Sequence, residues 1–265
     1  MPLSPLALRY DQFILDLDGC VWVGDEPTER APEAVAALRE AGKQVAYITN
    51  DVRSAPEEFV RKLWRLGFQA SLHEVITAGA ALQFELAGRP SGGAAFVIGS
   101  RALVEHVGDA GLRVVNNTEF APRADLVVVG GHEELRYIEL RIATQAVLRG
   151  AELIGLNRDT TYPMPDGPWP GTGAVLAAVE TAAGRRADLI VGKPEPPMYE
   201  AARDRFGPGR AIAVGDRLET DVAGALRAGL DAALVLTGAA ARTDTDGADP
   251  APTRIAESLG ALVLG

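Results

Sequence analysis

What most constrains this chain is its alternation of short Val- and Ile-rich runs with longer segments of helical period. The runs at Phe13 to Leu17, Gln44 to Thr49, Ala94 to Gly99, Ala124 to Gly130, Glu152 to Leu156, Asp188 to Val191, Ala211 to Val214 and Ala232 to Leu236 are largely apolar at odd and even positions alike. Strands buried on both faces read this way. Between them Pro32 to Ala41, Pro56 to Leu66, Leu135 to Arg149, Gly173 to Ala183 and Pro197 to Phe206 carry the helical period. The pattern is that of parallel strands joined by crossover helices. Eight such units could close into a barrel or stay open, so the connections decide. Leu86 to Gly93 (LAGRPSGG) and Asn157 to Gly173 (NRDTTYPMPDGPWPGTG) are rich in Gly and Pro, and the second is too long for an ordinary turn. Segments of this kind carry function or bound an inserted module.

Charge and termini narrow the classes of partner. The net charge of -10, from 36 acidic and 26 basic residues, repels a phosphate backbone, so no nucleic-acid partner is expected. No stretch reaches the roughly 18 apolar residues needed to span a bilayer, and MPLSPLALRYDQF lacks a basic start followed by a long apolar run. No membrane partner and a cytoplasmic location are the expectation. The single cysteine, Cys20, rules out an intramolecular disulfide framework and is expected to act as a small apolar filler.

In an open parallel sheet, ligands bind beyond the carboxyl ends of the strands. Those ends hold Asp16-Leu17-Asp18-Gly19, Thr49-Asn50-Asp51, Gly192-Lys193-Pro194 and Gly215-Asp216, with Asp221 five residues on. Residues two apart on a strand point the same way, so Asp16 and Asp18 can face one site. Asp216 adds a third carboxylate, Asp221 is a candidate fourth, and no His or Cys cluster stands beside them. Hard oxygen donors of this kind select Mg²⁺. The hydroxyl of Thr49 and the ammonium of Lys193 suit an anion held next to the cation, which describes a phosphate cradle. Together these are the parts for phosphoryl transfer to a carboxylate nucleophile.

Taken in order, DLDGCVW at Asp16 to Trp22, ITND at Ile48 to Asp51, VGKPEP at Val191 to Pro196 and GDRLETDVAGALRAGL at Gly215 to Leu230 resemble the four motifs of the haloacid dehalogenase superfamily of phosphatases. VITAGAA at Val75 to Ala81, VIGSRAL at Val97 to Leu103, DLVVVGG at Asp125 to Gly131 and the segment Asn157 to Gly173 are similar to the subgroup of NagD proteins, p-nitrophenyl phosphatases, phosphoglycolate and glycerol-phosphate phosphatases and pyridoxal phosphatase. The resemblance implies an α/β fold, a Rossmann-like doubly wound parallel sheet with an inserted α/β cap. We expect residues 1–79 and 186–265 to form the catalytic core and 80–185 the cap.

The same resemblance assigns roles. Asp16 attacks phosphorus and becomes phosphorylated, while Asp18 protonates the leaving alcohol and then takes a proton from water. A carboxylate oxygen of Asp16, the backbone carbonyl of Asp18 and the carboxylate of Asp216 hold Mg²⁺, and Asp221 acts through a metal-bound water or through hydrogen bonds behind the metal ligands. Thr49 and Lys193 hold the phosphoryl oxygens, Asn50 lines the same loop, and Tyr162 stands in a cap stretch that supplies a substrate contact in relatives. Tyr162 departs from the histidine of the pyridoxal phosphatase pattern, which argues against that substrate. Asp51-Val52-Arg53 is a second departure: the Asp51 carboxylate either turns outward or contacts a cationic or hydroxylated part of the substrate. Trp22 is expected to pack rather than to take part in chemistry. The partner is a small phosphate ester, and a homodimer through the cap, common in relatives, is a further expectation. A phosphotransferase or mutase would use the same parts but needs a second phosphate pocket, which no motif supplies. A catalytically silent binding protein would not need Asp16, Asp18, Lys193 and Asp216 together.

Overall fold

The strand Gln12–Asp16, buried along its whole length, lies inside a six-stranded sheet. From one edge the order is Arg254–Ala256, Asp231–Val235, Ala211–Gly215, Gln12–Asp16, Gln44–Thr49 and Val75–Thr77. Gln12–Asp16 runs parallel to both of its neighbours, with Leu15 opposite Val214 on one side and Asp16 opposite Ile48 on the other. The chain thus leaves this strand toward one edge and later returns to fill the other. That reversal is the switch point of a doubly wound sheet, where the loops at the carboxyl ends part and leave a crevice.

The computed structural model describes residues 1–265 apart from Arg53, Pro165, Asp166, Asp246, Ala248 and Pro250. Arg53, in the second sequence departure, therefore lies outside the described residues. The chain divides into two units, one of residues 1–49, 56–76 and 193–265, the other of residues 50–55 and 77–192. The first holds the six-stranded sheet. Phe13, Leu15, Val35, Leu38, Tyr47, Phe59, Leu63 and Val214 make up much of its core, each large aliphatic side chain contributing about 1.5–3 kcal/mol on burial. The helix Pro56–Arg65 shows how locally consistent the sequence is. Proline opens it, Glu57 and Glu58 occupy the first turn, Lys62 and Arg65 the last, and Phe59 and Leu63 are buried, in agreement with the macrodipole and the i, i+4 spacing of one face.

The second unit is the inserted α/β cap. Its five strands stand in the order Leu189–Ile190, Glu152–Gly155, Leu126–Gly131, Ala94–Gly99 and Arg113–Val114, all parallel, over a core that includes Phe96, Ile98, Val127, Val129, Leu153 and Leu176. The long segment expected to be a loop contains an antiparallel ribbon, Thr161–Met164 against Gly167–Pro170. Three prolines hide it from the sequence, because proline cannot donate to a ladder and reads as a breaker. Glu180, buried on the helix Thr172–Ala183, ties the loop before the ribbon in place. It accepts from Arg158 at 2.9 Å, from Arg186 at 2.9 Å and from the amide of Ala187 at 2.8 Å. Burial alone would raise its carboxyl, but these donors outweigh burial and hold it at about 2. Two helices absent from the sequence reading, Ala78–Ala87 and Arg101–Asp109, are each started by a hydroxyl cap, with Thr77 accepting from Ala80 and Ser100 from Leu103. Among the described residues no helix is long and apolar enough to cross a membrane.

Candidate active site

Because the sheet of the first unit is parallel, its strands deliver their last residues to one edge. Asp16 ends its strand, Thr49 ends the neighbouring strand and is buried, and Gly215 ends the strand on the other side, so that Asp216 follows at the same edge. Asp221 arrives differently. Residues Leu218–Val222 form a short π-helical turn continued by the helix Ala223–Arg227, and that turn points Asp221 back toward the strand end, where its Oδ2 accepts from the amide of Arg217 at 3.1 Å.

One carboxylate oxygen from each of Asp16, Asp216 and Asp221 lies within 4.8 Å of the others, and all three residues are buried. Lys193, only 4% exposed, stands among them. Its ammonium donates to Asp16 Oδ1 and, at 2.6 Å, to Asp221 Oδ1. Burial would lower the ammonium, but the charges of Asp16 and Asp221 outweigh it and hold Lys193 well above the usual lysine range. Burial pushes Asp16 well above the ordinary carboxylate range, against the pull of Lys193 and with help from Asp221 and Asp216. Asp216 is raised in the same way, partly offset by the amide of Ala239, which donates to its Oδ2 at 2.6 Å.

Three buried carboxylates thus face a single buried ammonium. Two negative charges in excess at one low-dielectric point are unfavourable, and they are relieved either by protonation, toward which burial pushes Asp16 and Asp216, or by an added cation. The donor set, all carboxylate oxygen with no sulfur or imidazole, fits a hard divalent cation. The packing around the cluster is close. Gly19 takes a φ of +86°, and a Cβ there would collide with the Asp216 carboxylate, so the residue after Asp18 has to be glycine for two separate reasons. Gly238 leaves no room for a Cβ against the same carboxylate.

Asp18 differs from Asp16, two residues before it, in being exposed. Its carboxylate accepts from the indole of Trp22 at 2.7 Å. Trp22 packs as expected, 1% exposed in the core of the first unit; a buried indole must still find an acceptor for its N–H, and here the acceptor is Asp18.

The remaining candidates belong to the second unit. Within it, Asn157 donates to the carbonyl of Asn50 at 2.9 Å, Asn50 donates to Asp159 at 3.3 Å and Ser100 donates to the carbonyl of Val52 at 3.2 Å. Asn50 and Asp51 thus go with the cap although Thr49 just before them ends a core strand. Tyr162 lies on the cap ribbon, opposite Trp169, their ring centroids 6.4 Å apart. The sequence reading also missed the segment Thr237 to Ala239, which follows the strand Asp231–Val235 and sends Thr237 to the carbonyl of Gly19 at 2.5 Å and Ala239 to Asp216. Its place just beyond a strand end was the available signal. Cys20 is buried, with its thiol raised by burial, and fits the role of filler.

A haloacid dehalogenase-like hydrolase profile matches residues 13–113 and a second HAD-hydrolase-like profile residues 190–262. Chronophin of Homo sapiens is 38% identical over 245 residues, 87% of this chain and 82% of its own. The glycerol phosphate phosphatase of Mycobacterium tuberculosis, solved with magnesium, superposes with a TM-score of 0.90 at 34% identity, over 98% of this chain and 78% of that one; the p-nitrophenyl phosphatase of Archaeoglobus fulgidus does so with a TM-score of 0.87 at 28% identity, over 96% and 98%. With these profiles near both ends of the sequence, and relatives at 38% and 34% identity that it spans over most of their length, the chain belongs to the haloacid dehalogenase-like hydrolases, among their phosphatases.

Proposed function

We propose that this phosphatase hydrolyses a small-molecule phosphomonoester of the glycerol phosphate, phosphoglycolate, nucleotide or p-nitrophenyl phosphate type through an aspartyl-phosphate on Asp16. The observation that carries this reading is the buried cluster of Asp16, Asp216 and Asp221 around Lys193. A purely structural cluster would have no use for the excess negative charge, whereas a nucleophile that needs a divalent cation does.

Asp16 and Asp216, with the backbone carbonyl of Asp18, would hold Mg²⁺, and Asp221 supports them from behind. When bound, the cation supplies the positive charge that keeps Asp16 ionised and offsets the phosphoryl oxygens. Asp16 attacks phosphorus while the bond to the leaving oxygen breaks, and Asp18 gives that oxygen a proton. Asp18, now a carboxylate, then takes a proton from water, whose oxygen attacks the same phosphorus and releases phosphate and Asp16. Lys193 and Thr49 hold the phosphoryl oxygens through both steps, and Asn50 and Asp51 are assigned to the same loop.

Phosphate release should stop on chelation, return with Mg²⁺ and be suppressed by Ca²⁺, whose looser and higher coordination takes the attacking carboxylate out of line. A rate unchanged after exhaustive chelation overturns the site. Tyr162, on the cap ribbon, is assigned to the choice of leaving group. The change Tyr162→Ala is expected to alter the ratio of kcat/KM among three chemically different phosphomonoesters, since its ring and hydroxyl would meet the leaving group and not the phosphate. Inhibition by vanadate should barely move. A uniform change across the three substrates rejects that role.

A further inference from the structure

The segment after Asp18 closes tightly on itself. The carbonyl of Leu17 accepts from the amides of Cys20, Val21 and Trp22, the amide of Gly19 donates to the carbonyl of Trp22 at 2.7 Å, and Asp18 and Trp22 form a bridge of their own. Trp22 then begins a small hairpin, Trp22–Val23 against Glu26–Pro27. The indole N–H donates to Asp18 Oδ1 at 2.7 Å. Lys62, in the last turn of the helix Pro56–Arg65, places its ammonium 4.5 Å from the centre of the Trp22 ring, donates to the carbonyl of Gly24 at 2.8 Å and lies 3.6 Å from Asp25.

We infer that Trp22 is the positioning residue for the proton-transfer group: its buried indole fixes the exposed Asp18 carboxylate through Oδ1, and Lys62 fixes the indole. A short carboxylate on an exposed loop samples several staggered rotamers, and only some of them place an oxygen where a leaving alcohol needs a proton. A hydrogen bond from a buried ring to Oδ1 selects one rotamer in the protonated and the ionised form alike, and leaves Oδ2 for the transfer. The ring is held by its burial, by the hairpin and by Lys62. The cation over its face draws ring electrons toward it, which makes the N–H a stronger donor. Fixing geometry before the reaction is one way a general acid gains efficiency from its surroundings.

The inference rests on the acid role of Asp18 proposed above, and the experiment separates the two. We would compare kcat/KM, which reports the steps up to loss of the leaving group, for glycerol phosphate and for p-nitrophenyl phosphate in Asp18→Asn, Trp22→Phe and Lys62→Met holoenzyme. Phenylalanine keeps a ring but no donor. A general acid contributes about 10²–10⁴-fold on a poor leaving group, and loss of its orientation should remove part of that. Trp22→Phe should therefore lower kcat/KM on the alkyl ester about 10-fold or more beyond its effect on the aryl ester, with Lys62→Met moving the ratio in the same direction by less. Mg²⁺ affinity should stay as in the unaltered enzyme. Equal losses on both esters in Trp22→Phe and Lys62→Met, alongside a selective loss in Asp18→Asn, overturn the inference alone; equal losses in Asp18→Asn overturn the acid role itself. Should Trp22→Phe fail to fold, Lys62→Met, at a half-buried site, still decides through the same ratio. The bond can also be read directly: of the three tryptophan indole N–H resonances, the one that disappears in Trp22→Phe should shift upfield in Asp18→Ala, and its failure to shift overturns the inference.

Discussion

Asp16→Asn is expected to abolish turnover by about four orders of magnitude or more while leaving the fold intact. An amide has nearly the shape of the carboxylate but no nucleophilic oxygen, so the phosphorylated intermediate cannot form. Stability should move the other way. Asp16 is one of three buried carboxylates facing a single ammonium, and burial already pushes its carboxyl well above the ordinary range. A neutral side chain relieves part of the repulsion, and Lys193 keeps Asp221 as its partner at 2.6 Å. The metal-free variant should therefore unfold at a temperature no lower than the metal-free parent, and Mg²⁺ should raise it less. Phosphate release and thermal unfolding with and without Mg²⁺ check both halves. Activity above about a tenth of the parent would sink the covalent route, and a large fall in the metal-free unfolding temperature would show that Asp16 is needed to hold the fold as well.

Lys193→Met carries the second large effect, now on both activity and stability. Methionine has similar length and no charge, so its removal of the ammonium leaves three buried carboxylates facing one another. Removing one partner of a buried ion pair costs about 3–5 kcal/mol. Part of that is recovered as the carboxyl groups take up protons, toward which burial already pushes Asp16 and Asp216. Mg²⁺ is the remaining counter-charge. The metal-free variant should be markedly destabilised and should gain more from Mg²⁺ than the parent does, while kcat/KM falls by about 10²–10³, the usual cost of losing one stabilising group for developing charge. Unfolding curves over a Mg²⁺ titration decide the matter. An unchanged metal-free midpoint, with an unchanged gain from Mg²⁺, would mean that the ammonium does not balance this cluster.

The sequence by itself determined the fold class and which acidic and basic residues would be brought together in the core. The strands Gln44–Thr49 and Ala94–Gly99 match their expected bounds, because an uninterrupted apolar run of that length has few other solutions in a parallel sheet. Asp16, Thr49 and Asp216 were legible because each ends a strand of the six-stranded sheet or follows one directly, and a parallel sheet sends such ends to one edge; Lys193 follows Leu189–Ile190, a strand of the other sheet, so its motif and not a shared sheet edge was the signal. Short or atypical elements were not legible. Val75–Thr77, Arg113–Val114 and Arg254–Ala256 are too short to show a period, the helix Ala78–Ala87 is too uniformly apolar to show one face, and the cap ribbon reads as breakers. The tertiary structure alone decided which groups touch. That Asp221 turns back through a π-helical turn onto Lys193, that Ala239 donates to Asp216, and that Trp22 holds Asp18 while Lys62 holds Trp22 are contacts between side chains and loops. Spacing along the chain fixes where a strand ends, since its repeat is local; the direction of a side chain at a loop is set by burial and by whichever donor or acceptor the rest of the fold brings within reach.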